Sequence, residues 1–251
     1  MPVGAACGTN ASLLGPKPVT PTPLATSQSQ SRSDRLRHHP LAAVLREVGP
    51  GSCPGRFNFH CHTLCSDGSL RPEELAHQAL AMGLEQLAIT DHHSSRAFAA
   101  VQAVFDGDQR AGDPTPKLWP GVEISCLLQG CLVHVLALGF TNGHPSLDPY
   151  LQGAALVGRG LRAEAVLEAI WAAGGLALLA HPARYRLPFQ VLIEAADHMG
   201  FDGAEAWYDY QMQGSWRPTS PICEAIARDL NNRGLLMSCG TDTHGLALDG
   251  R

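Results

Sequence analysis

The sequence predicts an α/β protein built on a parallel β/α barrel, and three observations carry that prediction. Short apolar runs of strand length alternate with amphipathic helical stretches from Arg56 onward. Seven such runs occur, at 57–59, 86–90, 118–124, 132–140, 176–180, 203–207 and 235–239. Polar residues able to do chemistry stand at or just after the ends of most of them. Periodicity alone does not separate a closed barrel from an open doubly wound sheet. Chemistry spread over many strand ends, rather than gathered at one switch point, favours the barrel.

A chain of 251 residues with 45% apolar content suits one barrel-sized domain plus a tail. Residues 1–38 are rich in Pro, Ser, Thr and Gln, a composition that buries too little apolar surface to offset ordering, and are expected to be a disordered tail. Residues 39–55 are expected to form an N-terminal helix and linker: Leu41, Val44, Leu45 and Val48 have helical spacing, and Gly49-Pro50-Gly51 stops them. The barrel domain takes 56–251. Its first helix, 72–82, opens with Pro72, Glu73 and Glu74 and closes at Gly83, as capping and the helix dipole require. A second, near 162–173, puts Val166, Ala169, Ile170 and Ala173 on one face and stops at Gly174-Gly175. Others are expected near 94–104, 189–199 and 220–233.

A formal charge of −5 and a pI near 6.2 give no basic face for capturing a long nucleic-acid duplex. A small anion remains within reach of a few local cations. The eight cysteines, at 7, 53, 61, 65, 126, 131, 223 and 239, include no C-x-x-C pair and are read as reduced thiols. No apolar run approaches the ~20 residues that span a bilayer. Nor does the N-terminus carry a charged stretch followed by an apolar signal core, so a soluble, cytoplasmic protein with no membrane partner is expected.

The strand ends hold the chemistry. His60 and His62 follow the first strand, with Asp67 in the loop beyond, and Asp91 and His92 follow the second. Glu123 lies near the end of the third, His134 within the fourth, His181 after the fifth, Trp207-Tyr208-Asp209 at the sixth, and Asp242 and His244 after the seventh. Six of the twelve histidines belong to this set. In His-x-His on an extended segment, both imidazoles project to one side, which makes half of a transition-metal site. Any one strand-end histidine is more often a hydrogen-bonded structural group, and His134 could equally be a core residue. Glu123 inside an apolar run would be costly without a cation. Asp91 is read as an outer partner that fixes an imidazole. Nine candidate ligands are too many for one ion and suit two or three.

These motifs resemble those of the PHP (polymerase and histidinol phosphatase) superfamily, over about residues 56 to 246. Phe57-Asn58-Phe59-His60-Cys61-His62 with Ser66-Asp67-Gly68 is similar to its first motif, and Ile89-Thr90-Asp91-His92 to its second. Gly121-Val122-Glu123-Ile124 looks like its glutamate strand; Leu179-Ala180-His181-Pro182 and Gly240-Thr241-Asp242-Thr243-His244 look like its third and fourth motifs. The resemblance implies a distorted seven-stranded barrel, TIM-barrel-like, with a site for two to three divalent transition-metal ions (Mn, Zn or Fe). One ion would take His60, His62, Glu123 and Asp242; a second would share Glu123 and add His134 and His181; a third would take Asp67, His92 and His244.

The run Ala180 to Tyr185 is similar to the stand-alone branch of metal-dependent phosphoesterases, which hydrolyses nucleotides such as nucleoside 3′,5′-bisphosphates or trims short RNA. In the implied mechanism a hydroxide held by the metals attacks phosphorus in line, no side chain acts beyond the metal-held hydroxide, and Arg184 clamps the phosphate. The segment from Thr141 to Arg159 is short where that branch carries a helical subdomain. His93 stands where relatives have an acidic residue and is read as an outer-sphere or proton-transfer group. Little chain follows His244, so the family's closing helix is either absent or supplied by the N-terminal segment. Rival readings are a histidinol-phosphatase-like or exonuclease activity, an amidohydrolase, and a non-catalytic metal-binding module.

Overall fold

The computed structural model describes residues 31–212 and 215–250. Among them are eight strands and seven α-helices in a mixed α/β fold. The strands are β1 (Phe57–Asn58), β2 (Gln86–Ala88), β3 (Lys117–Trp119), β4 (Gly121–Leu128), β5 (Cys131–Leu138), β6 (Leu176–Leu179), β7 (Gly203–Trp207) and β8 (Leu236–Cys239). The helices are α1 (Arg32–His38), α2 (Pro40–Leu45), α3 (Pro72–Ala81), α4 (Ala97–Ala111), α5 (Ala163–Ala172), α6 (Phe189–Met199) and α7 (Ser220–Arg233). Glycines in left-handed backbone close α4, α6 and α7. No helix among the described residues is long and apolar enough to cross a membrane.

The strand count and direction correct the expectation of seven parallel strands. The single strand expected over 118–124 is two, β3 and β4, divided at Pro120, which has no amide to donate to a ladder. Strand β5 runs antiparallel to both β4 and β6. It follows β4 through a two-residue turn, Gln129-Gly130, with φ of 50° and 66°. Such a turn joins antiparallel strands directly, where a parallel neighbour would need a crossover helix. The reversal sets His134 beside Ser125 and brings the N-terminal half of β5 to the end of the sheet where the other strands finish.

The strands form two sheets, β1-β2-β3 and β4-β5-β6-β7-β8, rather than one continuous ladder. Isolated bridges link the sheets at two seams, Cys61 with Thr243 and His92 with Glu123. Backbone hydrogen bonds continue each seam: Phe59 N to Cys239 O (3.0 Å) and Asp242 N to His60 O (2.7 Å) at the first, His93 N to Glu123 O (3.0 Å) at the second. Gly240 allows the first seam to close, since a Cβ there would collide with the backbone and Cβ of His60.

Residues 1–30 of the expected tail lie outside the described residues, whereas 32–38, also expected within it, form α1. Two arginines are the reason, Arg32 on Asp197 at 2.6 Å and the more deeply buried Arg35. Its guanidinium pairs with Asp202 at 2.9 Å, with side chains only 7% and 0% exposed, and stacks on Trp171. Asp202 also accepts from Ala177 N and Trp171 Nε1. Behind α1, Leu41, Ala42 and Leu45 of α2 enter the main core with Phe57, Phe59, Leu138 and Cys239. Removing one partner of a buried pair leaves a charge uncompensated. Arg35→Ala should therefore lower unfolding stability by about 3 kcal/mol, while Arg37→Ala, whose side chain is 68% exposed, should leave the denaturation midpoint in place.

Candidate metal centre

The two seams bring all nine expected ligands into one cluster, with Glu123 at its centre. Glu123 is 1% exposed, and five imidazoles converge on it. His60 Nε2, His62 Nε2 and His92 Nδ1 approach Oε2 at 3.0, 3.2 and 3.5 Å. His134 Nδ1 and His181 Nε2 approach Oε1 at 2.8 and 3.2 Å. The two carboxylate oxygens thus face separate sets of histidines. Asp242 Oδ1 lies 3.2 Å from His60 Nε2 and 3.1 Å from His62 Nε2. On the open side, Asp67 is 3.6 Å from His62 Nδ1, 3.7 Å from His92 Nε2 and 3.3 Å from His244 Nε2.

Ligand-competent atoms gather in three groups: His60, His62, Glu123 and Asp242; His92, Glu123 and His134; and His62, Asp67, His92 and His244. The first is the set the family resemblance implies for one ion. In the second, His92 joins Glu123 and His134, with His181 touching Glu123 from outside the group; in the third, His62 joins the expected trio.

The donor set fits cations. His62 is fully buried, yet neither ring nitrogen has a hydrogen-bond partner, and His181 Nδ1 has none either. The Nε2 of His62 sits near two carboxylate oxygens at angles outside hydrogen-bond geometry. Rings of His62 and His244 stack with centroids 4.2 Å apart, a contact that two protonated imidazoles would oppose. Neutral imidazoles turned toward shared cations account for both features.

Protonation follows the crowding. Burial alone would raise the carboxyls of Glu123 and Asp242, but His60 above all, with the other imidazoles, holds both well below the usual carboxylate range. Burial likewise opposes charge on His62, but Asp242 and Glu123 overcome it and raise its pKa to about 9. His60 is raised well above its ordinary value against burial by Glu123, Glu205 and Asp242. Burial takes His92 down to about 4 despite Glu123, helped by His62 and His134.

A cavity of about 290 Å³ opens over the cluster, lined by His92, Glu123, His134, His181, Arg184, Tyr185, Asp242 and His244. Arg184, expected as a free phosphate clamp, is partly engaged: its Nη1 donates to Tyr208 Oη at 2.7 Å and to Asp242 Oδ2 at 3.1 Å. Its Nε and Nη2 have no partner among the described residues.

Two expectations about outer residues change. Asp91 orients no imidazole; it accepts from Thr63 N, Thr63 Oγ1 and Ser66 Oγ, each at 2.7 Å, and so shapes the loop that carries Asp67. His93 is engaged by Tyr150 O and Ser125 Oγ, both at 3.2 Å, which braces the short connection after β5 and leaves the ring no hydrogen bond to the nine. Glu205 and Tyr185 were not expected at the site, and Tyr208 stood among the strand-end residues without a stated role. Glu205 is buried against His60, Tyr208 bonds Asp242 at 2.6 Å, and Tyr185 Oη accepts from His134 N at 2.8 Å. Glu205 carried a usable signal, an acid inside the apolar run Gly203 to Trp207, the same signal that marked Glu123.

In the cation-free protein the histidines predict opposite pH trends. A group whose folded pKa is raised stabilises the fold below its unfolded value, near 6.5 for histidine, and that stability is lost as pH rises through the folded value. The chelated protein should therefore lose thermal stability from about pH 6.5 upward, through the His62 value of about 9. Cation affinity should rise over the same range as the competing protons leave, with proton release on binding near neutral pH. Calorimetry in buffers of different ionisation enthalpy measures that release; none at neutral pH would contradict the assignment.

Comparison with known proteins agrees with this chemistry. The PHP domain model matches residues 58–150. The chain is 38% identical over 95 residues to the 5′-3′ exoribonuclease Rnm of Salmonella typhimurium, a match covering 38% of this chain and 31% of that protein. It is 33% identical over 91 residues to the 3′,5′-nucleoside bisphosphate phosphatase of Chromobacterium violaceum, covering 36% and 30%. The matched segment thus spans about a third of the length of these curated relatives. A solved amidohydrolase structure from Chromobacterium violaceum, with bound sulfate and no metal, shares the fold with a TM-score of 0.63 at 21% identity, covering 77% of this chain and 89% of that one. Residues 58–150 thus match the PHP domain, the family that the motifs on either side of Glu123 resemble.

Proposed function

We propose that this chain is a metal-dependent phosphoesterase that hydrolyses a small phosphorylated substrate: a nucleotide, a nucleoside 3′,5′-bisphosphate or a short oligoribonucleotide. One observation carries the reading: Glu123 divides its two oxygens between separate histidine sets, under a cavity that Arg184 also lines. A bridging carboxylate of this kind suits neighbouring divalent ions, and imidazole with carboxylate suits Mn, Zn or Fe better than Mg. We assign two to three ions to the nine residues His60, His62, Asp67, His92, Glu123, His134, His181, Asp242 and His244. Bound there, such ions would supply Lewis acidity toward phosphoryl oxygens and activation of water at neutral pH.

The chain's own residues do the rest. Asp242 turns Oδ1 to the histidines and Oδ2 to Arg184 and Tyr208, so one carboxylate ties the cation site to the cation that meets substrate. Arg184, anchored through Nη1, keeps Nε and Nη2 for phosphate oxygens. The short connection between β5 and α5 builds only two 3₁₀ turns, 148–150 and 158–161, which leaves little wall for a long polymer. The seams at both edges of the two sheets support reading 56–251 as one distorted barrel domain, with the segment from α1 to residue 55 packed against it. The seven unpaired thiols among the described residues suit a reducing, cytoplasmic setting.

Purified protein supplied with Mn, Zn or Fe should hydrolyse a mononucleotide phosphate or dinucleotide faster than long single-stranded RNA; equal turnover would contradict the size argument. Amide hydrolysis with none on phosphate esters would favour an amidohydrolase instead, a reading that the amidohydrolase name of the structural neighbour keeps in the assay panel. Glu123→Gln should abolish turnover more completely than His134→Ala, because it removes a charge shared by two ions. Arg184→Ala should lower kcat/KM by roughly tenfold to a hundredfold with metal content unchanged, the scale of losing a charge-assisted contact.

A further inference from the structure

Glu205 is another fully buried carboxylate, three strands away from β4 on β7, and no lysine or arginine pairs with it among the described residues. A carboxylate without a fixed cation is expensive to bury, so its retention calls for a reason beyond packing. Its contacts supply one. The Nδ1 of His60 lies 3.1 and 3.2 Å from its two oxygens, and the backbone N–H of His181 donates to Oε2 at 2.9 Å. His181 is held at φ 26° and ψ 62°, a left-handed backbone that a residue with a Cβ, and one preceding proline, adopts at a cost.

We propose that Glu205 is a positioning residue of the metal centre, which fixes the ring of His60 and the strained backbone of His181 from one carboxylate. The proposal rests on the metal-centre reading above. With Nδ1–H donating to Glu205, His60 keeps Nε2, on the side of Glu123 and Asp242, as the nitrogen that would meet a cation once its proton leaves. The other bond aims His181 Nε2 at the opposite oxygen of Glu123. His60 and His181 serve different sides of Glu123, so Glu205 supports both cation positions without touching either. Its negative charge also adds to those of Glu123, Asp242 and Asp67 in balancing the cations. An outer carboxylate on a ligating histidine orients the ring and raises its basicity.

Equilibrium dialysis with Mn²⁺ and with Zn²⁺ compares wild type, Glu205→Gln and Asp202→Asn, alongside thermal unfolding of each protein after chelation. Glu205→Gln should weaken cation binding by about tenfold to a hundredfold and change the metal-free unfolding midpoint little. Asp202→Asn, which removes an equally buried carboxylate at the α1 side, should lower the midpoint and leave cation affinity unchanged. Unaltered affinity in a folded Glu205→Gln protein would overturn the inference alone; no binding by wild type would overturn the metal-centre reading and this inference with it. Nitrogen chemical shifts of the zinc-loaded wild type provide a test independent of any variant. A proton on His60 Nδ1 and none on Nε2 is expected, and the reverse would contradict the role of Glu205.

Discussion

Much of this molecule is arranged around one buried charge. Glu123 has five imidazoles around two oxygens, more donors than a carboxylate needs and more than neutral packing would assemble. A carboxylate in that position is tolerable only with compensating positive charge. In the cation-free protein, protons on His60 and His62 provide it; in the loaded protein, divalent ions would. The same requirement explains why the sheets part where they do. Regular ladders would fill backbone groups at the strand ends but would not let four chain segments meet side by side. The seams, built of single bridges at Cys61–Thr243 and His92–Glu123, are where the ligands converge.

Each segment reaches the centre by a different local device. His60 and His62 alternate on an extended stretch, so both turn inward, and Gly240 lets the segment of Asp242 and His244 lie against them. His134 arrives because its strand is reversed by a tight turn, which carries a residue early in β5 to the end where β6 and β7 finish. His181 arrives through strained backbone fixed by Glu205. At the opposite end, α1 and α2 cover the core, fastened by the Arg35–Asp202 pair, so the site end is left free of that burden and open to solvent.

Most of the site was legible in the sequence because its residues stand out against their surroundings. Histidines and acids at the ends of apolar runs are hard to explain as packing, and all nine do meet. The direction of β5 was not legible: Gln129-Gly130 lacks the Asn or Asp that usually announces a two-residue hairpin, and the mostly apolar eight-residue runs on either side read equally well as buried parallel strands. Pro120 did announce the break between β3 and β4, but the apolar run across it masked the interruption. The helix at 32–38 was hidden by its polar composition, since it docks through arginines that meet acids far away in sequence, Arg35 on Asp202 and Arg32 on Asp197. Glu205 lacked only a neighbouring histidine motif; its partner, His60, is distant in sequence.

The central requirement of the site is that Glu123 serves two cations at once. A crystal structure of the manganese-loaded protein, with anomalous scattering recorded at the manganese edge, measures this directly. Two separate peaks are predicted, one near Oε1 with His134 or His181 and one near Oε2 with His60 and His62, each at about 2.0–2.2 Å from a carboxylate oxygen, as for carboxylate ligands of similar cations. A single peak, or peaks that leave Glu123 bonded only to histidines, would contradict it.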